Sequence, residues 1–139
     1  MARSKKIMVV DDEAGIRRLL FDVLSNEGFK VSLAKDGQDS LNQMRNRRFD
    51  LLITDINMPR LDGIELLKKM KRAGRKERVI IMTGRSSMDH KSLGKEIPPV
   101  FTKLHKPFHM NNFLEVVSLA LAPQRKRKGK GVMELDGRN

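Results

Sequence analysis

The chain has 139 residues, with 29 Lys or Arg against 17 Asp or Glu and a net charge of +12. That length suits one domain with a real core, and the charge favours anionic partners in general. The absence of Cys excludes disulfides, thiolate zinc sites and a cysteine nucleophile, and the absence of Trp and Tyr removes the usual stacking platform for single-stranded nucleic acid.

The start, MARSKK, leads into only four apolar residues, Ile7 to Val10, which is short of a signal peptide. No apolar run approaches the ~20 residues that span a membrane. A cytoplasmic protein with no membrane partner is expected. Ile7-Met8-Val9-Val10 reads as a buried strand with Asp11, Asp12 and Glu13 at its carboxyl end. Ile16, Leu19, Leu20, Val23 and Leu24 have helical spacing, and Gly28 fits the C-cap. Phe29, Val31 and Leu33 alternate as a strand. Asp36-Gly37 is a turn signal and Asp36 a candidate cap, followed by a helix marked by Leu41 and Met44. The pair Arg47-Arg48 after it reads as a solvated helix end.

Leu51-Leu52-Ile53 is a second strand of the kind buried on both faces, and Thr54 and Asp55 stand where it emerges. Asn57-Met58-Pro59 breaks the extended run, because proline restricts itself and the residue before it. Asp62 is an N-cap candidate for a helix from about Gly63 to Arg72, stopped by Gly74. Val79 to Met82 forms the next strand, with Thr83 at its carboxyl end. Residues 85–99 carry only a weak helical pattern, Met88, Leu93 and Ile97, interrupted by Gly94 and ended by Pro98-Pro99. Val100 to Leu104 is a fifth strand, followed by His105-Lys106-Pro107-Phe108. Phe113 through Leu121 gives a last amphipathic helix, closed by Pro123. The remainder reads as a polar, basic, disordered tail. The division expected is therefore a domain at 1–122 and a tail at 123–139. The tail holds six basic and two acidic side chains, so most of the charge excess lies in the domain.

Five strand–helix alternations argue for an α/β fold, a doubly wound parallel sheet with helices on both faces. In the order 2-1-3-4-5 the first and third strands adjoin at the switch point, where ligands bind at the carboxyl edge. Asp11, Asp12, Asp55, Thr83 and Lys106 all fall on that edge. Three converging carboxylates repel unless a hard cation joins them, and Mg²⁺ suits carboxylates, a carbonyl and waters. Lys106 and the Thr83 hydroxyl can meet phosphoryl oxygens. Such a set is equipped to move a phosphoryl group onto a carboxylate. Each piece alone has a plainer reading: a capping pair, a turn aspartate, a strand-end threonine, a loop lysine. The histidines His90, His105 and His109 have no ligand spacing.

Four motifs, VVDDE at 9–13, TDINMPRLDG at 54–63, MTG at 82–84 and KPF at 106–108, make residues 5–121 resemble the receiver domain of two-component response regulators, and DINMP is similar to stand-alone chemotaxis receivers. The resemblance implies a flavodoxin-like receiver fold and phosphorylation of Asp55 by a histidine kinase or phosphotransfer protein. It implies Mg²⁺, with Mn²⁺ as a substitute, on Asp11, Asp12, Asp55 and the Asn57 backbone carbonyl. Thr83 and Lys106 would bind phosphoryl oxygens, positions 57 and 85 (Asn57 and Arg85) would tune dephosphorylation, and the Lys106-Pro107 peptide bond would be cis. Signalling through a downstream protein, without an output domain, would follow.

The chain departs from that family at three places. The aromatic switch position three residues before the motif lysine is Lys103; Phe101 lies two residues earlier, on the same strand face by simple alternation. The fourth helix region is irregular, and the charge is basic where receivers are commonly acidic. Two readings follow: a phosphorylation-switched receiver, or a basic module that binds nucleic acid or another polyanion with phosphorylation secondary. Retention of the five site residues favours the first. A flavodoxin-like cofactor binder would need a Gly-rich phosphate loop after the first strand, and the sequence has none there.

Overall fold

The computed structural model describes residues 4–58, 61–84 and 90–123. Pro59, Arg85 and the basic run after Pro123 lie outside the described residues. The elements alternate in chain order: β1 (Lys6–Val10), α1 (Ala14–Asn26), β2 (Lys30–Ala34), α2 (Gly37–Met44), β3 (Leu51–Asp55), α3 (Gly63–Arg72), β4 (Arg78–Thr83), a 3₁₀ segment (His90–Glu96), β5 (Val100–His105) and α4 (Met110–Leu121). The strands form one parallel sheet in the order β2-β1-β3-β4-β5.

The period-2 alternation of side chains divides the core into two layers. Met8, Val10, Leu52, Val79 and Ile81 face one side, where α2 contributes Met44 and α3 contributes Leu66, Leu67 and Met70. Ile7, Val9, Leu51, Ile53, Ile80 and Met82 face the other, where α1 contributes Leu20 and Leu24, and α4 contributes Phe113, Val117 and Ala120. β1, β3 and β4 are covered on both faces, which is why they read as unbroken apolar runs. β2 and β5, at the edges, are only partly buried.

Helix ends follow local chemistry. Asp36 caps α2 by accepting the Asp39 N–H at 2.8 Å, and Asp62 caps α3 by accepting the Glu65 N–H at 2.9 Å. Lys69, Lys71 and Arg72 stand in the last turn of α3, where cations are favoured by the helix dipole. Gly28 and Gly74 follow α1 and α3 at positive φ, 94° and 73°.

Two features depart from simple alternation. The crossover between β4 and β5 holds a 3₁₀ segment kinked at Gly94 (φ 53°, ψ −123°) instead of an α-helix. Its apolar content is small: Ile97 is buried and Leu93 is packed at the core margin. That is too little to hold an amphipathic helix against the sheet. The β4–β5 register also shifts: Val100 opposes Val79 while Thr102 opposes Ile80. Phe101 is the extra residue of this bulge and is 37% exposed.

At the amino edge of the sheet, Arg75 joins two loops. It donates to the Met44 and Arg47 carbonyls, each at 2.7 Å, and makes a bidentate pair with Glu77. Glu77 is buried and also accepts the Phe49 N–H at 3.0 Å. Removing the guanidinium strands a buried carboxylate, which typically costs about 3–5 kcal/mol. Arg75→Ala is therefore expected to lose stability of about that size by urea denaturation. Glu77→Gln, which keeps an acceptor for Phe49, should lose clearly less; equal losses would show that the pair is not what holds the loops.

Candidate functional site

The site is built where β1, β3, β4 and β5 end. Asp11 follows β1, and its N–H continues the ladder to the Ala34 carbonyl at 3.1 Å. Its side chain is fully buried, while the neighbouring Asp12 is exposed. Asp11 Oδ1 accepts the Glu13 N–H at 2.9 Å, and Arg17 donates to the Asp11 carbonyl at 2.8 Å. Asp55 is the last residue of β3 and is buried, and its Oδ1 accepts the Asn57 N–H at 3.0 Å. The Lys106 Nζ donates to Asp11 Oδ2 and to Asp55 Oδ2, both at 2.9 Å, and lies 3.8 Å from Glu13.

Local structure fixes these groups. Ile56 N–H bonds the Met82 carbonyl at 3.1 Å, so the chain beyond Asp55 stays tied to β4 for one more residue. Gly63, the first residue of α3, packs directly under this turn. A Cβ there would lie 2.3 Å from the Asp55 carbonyl oxygen and 2.7 Å from Ile56 Cα, both backbone atoms. Thr83 is buried at the end of β4 opposite His105, and its carbonyl accepts the Lys106 N–H at 2.8 Å. The Lys106–Pro107 peptide bond is cis. Phe108 stacks on Phe113 of α4 with centroids 5.4 Å apart, anchoring the far side of the lysine loop.

Electrostatics within the cluster are coupled. Burial pushes the Asp11 carboxyl pKa up, and the nearby Asp55 charge adds to this; the Glu13 N–H and Lys106 oppose it, but the net direction is up. For Lys106, burial alone would lower the pKa. Hydrogen bonds to Asp55 and Asp11 outweigh it and hold the amine above its ordinary value, so it stays charged at neutral pH. Ligand oxygens of Asp11, Asp12 and Asp55 all lie within 4.8 Å of one another. Three carboxylates against one ammonium leave room for a hard cation in charge terms, and an all-oxygen donor set suits Mg²⁺.

The structure thus brings together Asp11, Asp12, Asp55 and Lys106, with Asn57 bonded to Asp55 through its backbone and Thr83 bonded to Lys106 through its own. Arg85 lies outside the described residues. Lys103 is half-buried on β5 opposite Ile81, at a distance from this edge set by two residues of strand. Sequence reading gave no role to Arg17, to Glu13 beyond its place in the first motif, or to Gly63. The six-residue step from Asp11 to Arg17, across the first turn of a helix, was the available sign for Arg17. A glycine directly after a capping Asp was the sign for close approach at 63.

Residues 7–118 match the response regulator receiver domain model, and the chain belongs to that family. It is 38% identical over 114 residues to sporulation initiation phosphotransferase F of Bacillus subtilis, covering 82% of this chain and 91% of that one. It is 34% identical over 109 residues to the response regulator MprA of Mycobacterium sp. (strain KMS), covering 78% of this chain but only 47% of that protein; the chain spans about half its length. Among solved structures, the chemotaxis protein CheY4 of Vibrio cholerae superposes with a TM-score of 0.78 at 29% identity, over 86% of this chain and 100% of that one. The acidic pocket is therefore that of a two-component receiver.

Gly63→Ala tests the packing beneath the site. The added methyl meets backbone rather than a flexible side chain. A loss of about 1–3 kcal/mol in denaturant unfolding is expected, the usual cost of overpacking. Unchanged stability would mean that α3 moves away from the Asp55 turn freely.

Proposed function

We propose that the protein is a phosphorylation switch that accepts a phosphoryl group on Asp55 from a histidine kinase or a histidine phosphotransfer protein and signals by protein contact. The observation that carries this reading is the Lys106 ammonium held 2.9 Å from both Asp11 and Asp55. It is a fixed positive charge next to a strand-end carboxylate in a site that has spare negative charge.

In the proposed step, an Asp55 carboxylate oxygen attacks phosphorus, a P–O bond forms, and the P–N bond of the donor phosphohistidine breaks. The bonding pair returns to the imidazole nitrogen. Asp11, Asp12 and Asp55, with the Asn57 backbone carbonyl, would hold Mg²⁺ or Mn²⁺, whose charge would screen the phosphoryl oxygens. The Asn57 N–H orients the Asp55 carboxylate by holding Oδ1. Transfer replaces a carboxylate by an acyl phosphate and moves negative charge outward. Lys106 then follows the charge from Asp55 Oδ2 to a phosphoryl oxygen, while its ammonium keeps the bond to Asp11 Oδ2. The Thr83 hydroxyl takes a second phosphoryl oxygen. Positioning and charge stabilisation of this kind supply most of the catalysis in phosphoryl transfer. Asn57 and Arg85 would set the lifetime of the product.

Intact mass after incubation with a small phosphodonor and Mg²⁺ should show one phosphate adduct, lost with chelator and absent in Asp55→Asn. Lys106→Ala should slow its appearance by about 10²-fold, the usual scale for one lost charge-stabilising donor. An undiminished adduct in Asp55→Asn would end the assignment.

An aromatic ring gains by moving into an apolar gap, but an ammonium does not. Lys103 therefore does not swing inward as a receiver aromatic would. The signal passes instead through the chain after Thr83 and the kinked 3₁₀ segment, which has few core contacts and correspondingly low local stability. Hydrogen exchange with and without phosphorylation should change mainly in residues 84–99, and Lys103→Ala should retain that change. Its loss in Lys103→Ala, with normal labelling of Asp55, would make Lys103 the relay.

A further inference from the structure

At the amino edge of the sheet, opposite the acidic site, lies a groove of about 890 Å³ lined by the starts of β1 and β4, the α2–β3 and α3–β4 loops, and the end of α4. Its walls carry eight Lys or Arg side chains and two carboxylates. Both carboxylates are already engaged: Glu77 by Arg75, and Asp50 by the Lys6 N–H at 2.8 Å. Arg75 and Arg78 are used internally, bonding backbone carbonyls of the surrounding loops and of the α4 terminus. They shape the groove. Lys5, Lys6, Arg45, Arg48 and Lys76 are exposed along it. Arg47 lies over the Phe49 ring at 5.0 Å and bonds Ser32 Oγ, which fixes one more guanidinium on the same wall.

We propose that this groove is a second binding site, for the phosphodiester backbone of double-stranded nucleic acid, read without regard to sequence. Its chemistry selects that occupant. Phosphate contacts by Lys and Arg supply the affinity of non-specific nucleic-acid binding. Phe49, the only aromatic residue in the groove, is buried, so no ring is offered for stacking an unpaired base. The exposed large apolar side chains among the described residues, Leu19, Phe21, Phe101 and Leu119, lie outside the groove, so it lacks the apolar face that membrane-surface binding uses. A protein partner would be expected to meet aromatic or aliphatic anchors, and the wall is instead rich in Lys and Arg. The sequence directly after Pro123, a groove residue, adds Arg125, Lys126, Arg127 and Lys128 to the charge of the chain. β3 separates the groove from Asp55: five residues at about 3.3 Å each put them ~17 Å apart. Binding there needs neither Asp55 nor its metal.

The test is fluorescence anisotropy of the full chain with labelled random-sequence duplex DNA and duplex RNA, over a salt series in chelator. Saturable binding that weakens steeply with salt is expected, with a log–log slope of about −3 to −5. The tighter duplex identifies the source. The triple variant Arg45→Ala, Arg48→Ala, Lys76→Ala should bind at least about tenfold more weakly and lose about 2–3 from the slope. It should unfold at the wild-type midpoint and still take phosphate onto Asp55. Arg48→Glu alone should act in the same direction. Wild-type binding in the triple variant, no binding of either duplex at low salt, or loss of binding only when Arg125, Lys126, Arg127 and Lys128 are replaced by Ala would each overturn the proposal. So would binding to phosphatidylserine vesicles without binding to a duplex.

Discussion

Asp11 and Asp55 are carried into the interior by the strands that precede them, and two buried carboxylates side by side repel with little water to screen them. The Lys106 ammonium between them, at 2.9 Å from each, is what makes this arrangement tolerable. It arrives from the strand on the far side of β4, so the site forms only when the sheet has closed in the order that sets β1 beside β3 and β4 beside β5. The same residue is tied to β4 by its backbone, whose N–H donates to the Thr83 carbonyl. Topology and the stacked Phe108 and Phe113 rings both bear on where this one charge sits. A cation shared by two anions is also easily redistributed. Adding charge on the Asp55 side shifts its balance without dismantling the site.

Much of this was legible in the sequence because its signals are local. The apolar runs of β1, β3 and β4, the caps Asp36 and Asp62, and the glycines at 28 and 74 depend on a few neighbouring residues each. The four motifs at strand ends converge once a parallel sheet is assumed, since parallel strands put all carboxyl ends on one edge. What was not legible depends on pairs distant in sequence. The bulge that makes Phe101 an extra residue is a property of β5 against β4. The Arg75 bonds to Met44 and Arg47 cross about thirty residues and involve backbone acceptors, which leave no pattern in side-chain spacing. Arg47 and Arg48 read as solvated, and both are exposed, but nothing nearby in sequence shows that Lys5, Lys6 and Lys76 come to the same surface.

The two edges of the sheet differ in charge by more than helix dipoles require. In a parallel α/β sheet each crossover helix starts near the carboxyl edge and ends near the amino edge, so cations at the amino edge complement helix C-termini. That accounts for Lys69, Lys71 and Arg72 in the last turn of α3. It does not account for the groove. α1, α2 and α4 have no basic residue in their last turn, and the dipole effect fades within a turn. Most groove cations stand instead on loops and strand starts: Lys5, Lys6, Arg47, Arg48 and Lys76. Self-repulsion among them disfavours the fold slightly, and the short ties made by Arg75 and Arg78 to backbone carbonyls hold the loops against it. A surface that concentrates like charge and is braced to do so suits the anionic occupant proposed above. The carboxyl edge, with its excess of carboxylates, would on the function proposed above meet a cation and a phosphoryl group. One sheet keeps the two about a strand's length apart, so the two charge patterns do not cancel each other.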